Sequence, residues 1–493
     1  MSSLINKSKE YADRNAILSH GQYYSYATLL SVTRTVAAHL LQGRKDLNQD
    51  PITYLVPPSF EYVAVQWGIW AAGGIAVPLC VLHPLPSIQY VIEDTKAQMV
   101  IAHPDYFDFL KPLEKKTGVR IVALNTILRE ATVDLPQIAP FRSAMILYTS
   151  GTTSKPKGVV TTHANIEAQI TTLVKAWEWK KEDHILNILP LHHVHGIINV
   201  LSCALWSGAC CEFLPRFDAA SAWEVVKSGR LSLFMAVPTI YYKLISYWES
   251  AVDQEQQVLT AAASKLRLMV SGSAALPVTV LEKWEEITGQ TLLERYGMTE
   301  IGMGLSNSYR GERRPGHVGL PLPGVDMRLV DLDNNPVEPG APGEFQIKGP
   351  SVFKEYWGKP DATAKAFTKD GWFITGDIGV FNGGMYKILG RDSVDIIKSG
   401  GYKISALEIE DVLRKHVEVA DCAVVGLPDE EWGEVVAACI IGQNQAVDTI
   451  KISEWLRAYL PAYKVPRRFI VKKELPRNVL GKVTKNEVKK MFN

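Results

Sequence analysis

The segment Tyr148-Thr149-Ser150-Gly151-Thr152-Thr153-Ser154-Lys155-Pro156-Lys157-Gly158 gathers hydroxyl, glycine and lysine residues directly behind the apolar run 144–147. Hydroxyl, backbone N–H and ammonium groups on one loop are the donors that wrap phosphate oxygens. It is not a Walker A sequence, because GxxxxGK[ST] needs glycine at 156, where proline stands. Other charged residues sit at Glu300, Asp377, Arg391 and Lys482. Taken singly, Asp377 in Thr375-Gly376-Asp377 reads as a turn residue. Lys482 likewise reads as one solvated charge in a basic tail with Lys472, Lys473, Lys485, Lys489 and Lys490.

The elements that must carry these residues alternate in type. Short β-rich runs at 52–56, 75–79, 99–102, 145–148, 186–189, 233–237 and 266–271 are interleaved with amphipathic segments such as 60–72. Strand-then-helix alternation predicts a layered α/β fold with mainly parallel sheets. After about residue 320 the runs 325–330, 343–348, 385–388 and 394–398 are separated by Gly, Asn and Asp turns, which predicts a β-rich subdomain over about 320–390. The remainder reads as a compact α+β unit: helical spacing at 406–416 and 450–460, strands at 420–425 and 435–441. The expected division is an N-terminal domain 1–390, a hinge about 391–395 and a small mobile C-terminal domain 396–493.

Composition bounds the function. The 493 residues carry 53 Lys plus Arg against 52 Asp plus Glu, a net charge of +1, so there is no broad basic face for nucleic acid or anionic lipid. No stretch is apolar and long enough to span a bilayer. The six cysteines make no CxxC pair and no metal-like spacing, which suits reduced thiols. The first sixteen residues lack the features of a signal or transit peptide, and a cytoplasmic location is the expectation.

The 148–158 loop strongly resembles the phosphate loop of the acyl-adenylate-forming superfamily, which includes acyl-CoA synthetases, luciferases and peptide-synthetase adenylation domains. Further motifs follow in the order of that family: Tyr296-Gly297-Met298-Thr299-Glu300, Thr375-Gly376-Asp377, Gly390-Arg391, Ser399-Gly400-Gly401-Tyr402-Lys403, and Pro476 through Gly481-Lys482. The resemblance implies a ligase that uses ATP and Mg2+ to convert an acid to acyl-AMP and pyrophosphate, and then lets the thiol of CoA displace AMP. It assigns ATP and AMP contacts to Thr149, Ser150, Gly151, Thr152, Thr153, Lys157, Gly272, Ser273, Ala274, Glu294, Arg295, Tyr296, Gly297, Met298, Thr299, Asp377, Arg391 and Lys482. Lys482, Thr299 and Glu300 are the implied catalytic residues, and Glu300 the implied Mg2+ ligand. Ser399, Gly400, Gly401, Tyr402 and Lys403 are the implied CoA-binding loop. Two departures stand out. Ser154 occupies a position where the family usually has glycine. Three residues rather than two separate Arg391 from Asp395, so that Asp392 and Ser393 both qualify as hinge.

The segments 294–300, 311–316, 321–325 and 390–403 resemble malonyl-CoA and methylmalonyl-CoA synthetases. With that resemblance, Arg295, Ser273 and His195, the last in the histidine-rich run Leu189–Gly196, are the residues expected to hold the distal carboxylate of a dicarboxylic acid. Arginine suits that role through bidentate pairing, whereas a fatty or aryl acid leaves its charge unpaired. The plainer reading turns Arg295 to solvent or pairs it with Glu294. A free thiol is expected because no carrier-protein domain is attached. The expected product is malonyl-CoA or methylmalonyl-CoA, within fatty acid metabolism. A medium-chain or aryl acyl-CoA ligase and a non-catalytic nucleotide-binding homologue are the alternatives.

Overall fold

The computed structural model describes residues 3–129, 131, 133–149, 155–214, 216–443, 447–478 and 481–492. The expected α/β architecture is present, as two large mixed sheets followed by two smaller ones. The first large sheet runs Glu355–Tyr356, Lys157–Thr162, Ser143–Thr149, Ile75–Pro78, Pro51–Leu55, Met99–Ala102 and Arg120–Ala123. Its last five strands are parallel, and Ser143–Thr149 turns back into Lys157–Thr162 as an antiparallel hairpin. The second has nine strands, among them His184–Asn187, Leu233–Ala236, Leu268–Ser271 and Leu293–Met298, all parallel, with Gly302–Ser306 folded back antiparallel on the last.

The strands read as short apolar runs because both faces are covered. One buried cluster contains Tyr54, Ala76 and Met145 from the first sheet and Ile185, Leu233 and Leu268 from the second, so the two sheets share a core. Helix Phe60–Ala71, capped by Ser59, is buried at all but one of its positions. Gly68 lets it approach helix Tyr26–Leu41, since a Cβ there would lie 2.3 Å from Val36 Cγ1.

The third sheet is antiparallel: Asp326–Val330, Gly343–Lys348, Phe373–Asn382 and Met385–Arg391. Two sequence expectations need correcting here. Asp377 is not in a turn but inside the ten-residue strand Phe373–Asn382, where Gly376 takes φ +73 and the ladder to Met385–Arg391 shifts register. The run expected at 394–398 is the strand Ile396–Ser399, and it joins the last sheet. That sheet holds Tyr402–Ser405, Ile396–Ser399, Gly433–Gly442 and Val419–Asp429, with Arg468–Lys472 parallel to Gly433–Gly442. Helices Ala406–Leu413 and Thr449–Leu456 help to close the buried cluster on this sheet.

Candidate active site

The loops that follow His184–Asn187 and Leu268–Ser271, at the carboxyl edges of parallel strands where ligands of open α/β sheets bind, meet where His195 Nδ1 lies 3.1 Å from Ser273 Oγ. The hairpin ladder that brackets the 148–158 segment closes at Tyr148↔Gly158 and Thr149↔Lys157. Ser150, Gly151, Thr152 and Thr153 lie outside the described residues. The Lys157 ammonium sits over the Tyr356 ring, 4.5 Å from its centroid, and the Tyr356 hydroxyl donates to Glu300 Oε1 at 3.0 Å. Glu300 follows Thr299 behind the strand Leu293–Met298 and is buried, and burial raises its carboxyl above the ordinary value. A carboxylate so placed, with a neutral hydroxyl as its side-chain donor, suits a divalent cation.

Asp377 is gripped from two sides. Tyr296 Oη donates to its Oδ2 at 2.6 Å, and Arg391 Nε donates to Oδ1 at 2.8 Å. Burial opposes the Arg391 charge, but Asp377 outweighs it and holds the guanidinium above its ordinary value. Gly297 is required by the hairpin into Gly302–Ser306, because a Cβ would lie 2.2 Å from the Gly302 carbonyl oxygen.

Strand alternation separates Glu294 from Arg295. Glu294 accepts from the Gly316 N–H at 3.0 Å, and burial pushes its carboxyl up to about 8. Arg295 lies on the opposite face of the strand and is buried, and among the described residues no carboxylate pairs with it, so the plainer reading of a solvated or Glu294-paired arginine does not hold. Its Nη2 donates to Ser273 Oγ at 3.4 Å, its Nε has no partner among the described residues, and burial pushes its pKa down to about 9. Gly272 makes room for it, since a Cβ would meet the guanidinium carbon at 2.6 Å. Ser273, at φ +69, lies 3.1 Å from His195 Nδ1, while Ala274 is exposed beyond it. His195 opens a π-helical segment, His195–Ser202, and keeps an unpartnered Nε2. Burial, then the Arg295 charge, holds its imidazole far below the ordinary value, hence neutral.

Lys482 reaches this pocket from the C-terminal end of the chain. Gly481 rests on helix Pro238–Ser250, where a Cβ would lie 2.8 Å from Thr239 Oγ1. Surrounding protein, then Arg295 and Arg391, push the Lys482 pKa below 10.5. The loop Ser399–Lys403 is elsewhere: it is the turn between Ile396–Ser399 and Tyr402–Ser405, and Tyr402 stacks on Tyr463 at 4.5 Å. Among the described residues, no hydrogen bond or ion pair joins it to the Arg295 pocket. Asp392 donates its backbone N–H to the Gly376 carbonyl and pairs with Lys398 at 3.1 Å, and Ser393 follows in the same turn.

Sequence reading missed two contributors. Tyr356 lies 56 positions from Glu300 and carries no local signal. His193, in the histidine-rich run, has no partner for its Nε2 among the described residues, and burial, then Lys482, pushes its pKa down to about 3.

Residues 5–357 match the family model of the AMP-binding enzyme, and residues 408–482 that of the AMP-binding enzyme C-terminal domain. The malonate–CoA ligase ACSF3, mitochondrial, of Bos taurus is 43% identical over 97% of this chain and 88% of its own length. The ATP-bound crystal structure of MatB from Rhodopseudomonas palustris superposes with a TM-score of 0.92 at 31% identity, covering 100% of this chain and 99% of that one. A malonyl-CoA ligase ternary product complex with methylmalonyl-CoA and AMP gives 0.71 at 33% identity, covering 97% and 100%. The expectation of a cytoplasmic location is overturned by the bovine relative and its Mus musculus, Xenopus laevis and Homo sapiens counterparts, all described as mitochondrial. Buried, reduced cysteines and a near-neutral charge do not distinguish the two compartments, so composition had no power to decide. By family model, sequence relatives and fold together, the chain belongs to the AMP-binding enzyme family as one of its ATP- and CoA-using, AMP-forming ligases.

Proposed function

We propose that the protein joins malonate to CoA through malonyl-AMP, with methylmalonate as the related acid. The observation that carries this reading is Arg295: a buried guanidinium with a free Nε, facing a neutral imidazole with a free Nε2 and a serine hydroxyl. Such a group is costly unless an anion meets it. A second carboxylate on the substrate supplies that anion; a medium-chain or aryl acid does not. Malonate–CoA ligases among the relatives support the same acid.

In this reading Arg295, Ser273 and His195 hold the distal carboxylate and leave the other facing Lys482. Lys482 bridges the reacting carboxylate and the α-phosphate, so that two anions approach with their repulsion screened. Thr149, Lys157 and the loop between them take the β- and γ-phosphates, and Thr299 touches the α-phosphate. Asp377 accepts the ribose hydroxyls, with Arg391 and Tyr296 fixing its orientation. Gly272, Ser273 and Ala274 give the adenine a flat backbone edge. Glu300 would hold Mg2+, which supplies charge neutralisation to the polyphosphate when bound.

The second half-reaction needs Lys482 out and the Ser399–Lys403 loop in, brought about by turning 396–493 about 391–395, with Asp392 or Ser393 absorbing the change. The lower TM-score to the CoA-product complex than to ATP-bound MatB, at similar identity, supports such a rearrangement. Incubation with malonate, ATP, Mg2+ and CoA should give malonyl-CoA, AMP and pyrophosphate in equal amounts. Release of ADP and phosphate, or no thioester, contradicts the proposal.

A further inference from the structure

The phosphate loop has two feet, and both rest on one face of one helix. At the entering foot, the Tyr148 hydroxyl donates to Asp94 Oδ2 at 2.6 Å. At the leaving foot, the Tyr90 hydroxyl donates to the Pro156 carbonyl at 2.7 Å. Tyr90 and Asp94 are four residues apart on helix Leu85–Thr95, so their side chains project from the same face. Pro156 lies one residue outside the hairpin ladder, which closes at Thr149↔Lys157. The Tyr90 bond therefore reaches into the loop itself, past the last point where the sheet fixes the backbone.

The contacts around this pair reinforce it. The Tyr90 and Tyr148 rings meet edge to face at 6.1 Å, and the Lys155 ammonium sits over the Tyr90 ring at 5.7 Å. Asp94 is locked in turn by Lys359, whose Nζ lies 2.9 Å from Oδ1. Lys359 precedes helix Pro360–Lys365, and the nearby Trp357 N–H donates to the Gly158 carbonyl at 2.8 Å. The chemistry proposed above uses none of the four side chains Tyr90, Asp94, Tyr148 and Lys359. Each has a partner that leads back to the loop.

We propose that Tyr90 and Asp94 are positioning residues for the adenylation half-reaction: they fix the exit and the base of the phosphate loop, and thereby the grip on the β- and γ-phosphates. This rests on the reading of 148–158 as the phosphate loop. A loop held at both feet binds polyphosphate with less ordering to be done on binding. Thioester formation starts from acyl-AMP and CoA, with no β- or γ-phosphate present. The helix should then matter to the first half-reaction and not the second.

The test uses the full chain with Tyr90→Phe, which removes one hydroxyl and keeps the ring, and Asp94→Asn. ATP affinity is read by calorimetric titration and by KM in malonate-dependent ATP–pyrophosphate exchange. The second half-reaction is read as malonyl-CoA formed from preformed malonyl-AMP and CoA. Loss of one hydrogen bond predicts a roughly 3- to 10-fold weaker hold on ATP and pyrophosphate, with the second half-reaction unchanged. Unchanged ATP and pyrophosphate affinity in both variants overturns the inference, as does an equal loss in both half-reactions, which marks a merely structural role. Lys157→Ala separates the underlying reading. If it weakens ATP binding and Tyr90→Phe does not, the helix is irrelevant. If neither weakens it, the loop is not the phosphate loop.

Discussion

Arg295→Met tests the substrate pocket through stability and selectivity at once. Methionine keeps the length and removes the charge. Burial pushes the arginine well below its ordinary value, to about 9, so holding it charged near neutrality costs on the order of 5 kcal/mol in the ligand-free fold. Its hydrogen bond to Ser273 at 3.4 Å offsets little of that. The variant without ligand should therefore unfold at a higher temperature than the parent. The parent should gain roughly 2.7 kcal/mol from malonate at 100 times its Kd, and the variant nothing. In catalysis, losing one partner of a buried charge pair costs about 3–5 kcal/mol, a fall in kcat/KM for malonate of roughly 10²- to 10³-fold or more. Butyrate, which has no second charge, should change little or improve. The assays are thermal unfolding with and without malonate, and kcat/KM for the two acids. Equal losses for malonate and butyrate, or a malonate-induced stabilisation that survives the substitution, would refute the pocket.

Lys482→Ala should abolish pyrophosphate exchange and spare thioester formation from malonyl-AMP; loss of both would mean misfolding. Adenylation needs Lys482 protonated, and its proton leaves below 10.5 because protein crowding, Arg295 and Arg391 disfavour the charge, so exchange should decline on the alkaline side before an ordinary lysine titrates. Lys482→Arg should remove that decline in any residual exchange activity, and an unchanged limb would exonerate the lysine. Asp377→Asn should raise KM for ATP by about 10-fold or more, as expected for a charge-assisted bond to ribose, with malonate KM unaffected. Tyr356→Phe should weaken Mg2+-dependent ATP binding, measured by titration at several Mg2+ concentrations, and unchanged Mg2+ dependence would detach Tyr356 from the Glu300 site.

What could be read from sequence was contiguous. The phosphate loop, the 296–300 segment and the C-terminal lysine motif are each a few residues of consecutive chain, and the strands around them are short apolar runs because both faces are buried. What could not be read depends on which strands lie side by side. Asp377 looked like a turn residue because Gly376 precedes it, yet φ +73 at Gly376 belongs to an irregularity inside a strand. The split between Glu294 and Arg295 follows from the pleat once 293–298 is known to be a strand, and the adjacent charges had suggested a pair. Tyr356 beside Glu300, and Tyr90 beside Pro156, are products of packing across 56 and 66 positions of sequence, for which no spacing rule exists. The π-helical turn that starts at His195 has no compositional mark either.

The most direct test of the central claim is a competition among acids. Malonate, methylmalonate, acetate, octanoate and benzoate are offered with ATP, Mg2+ and CoA, and kcat/KM is measured for each thioester. Malonate should lead, with methylmalonate within about 1–3 kcal/mol, the worth of one methyl group in a pocket. If acetate, octanoate or benzoate outpaces malonate, Arg295 does not meet a substrate carboxylate and the account fails.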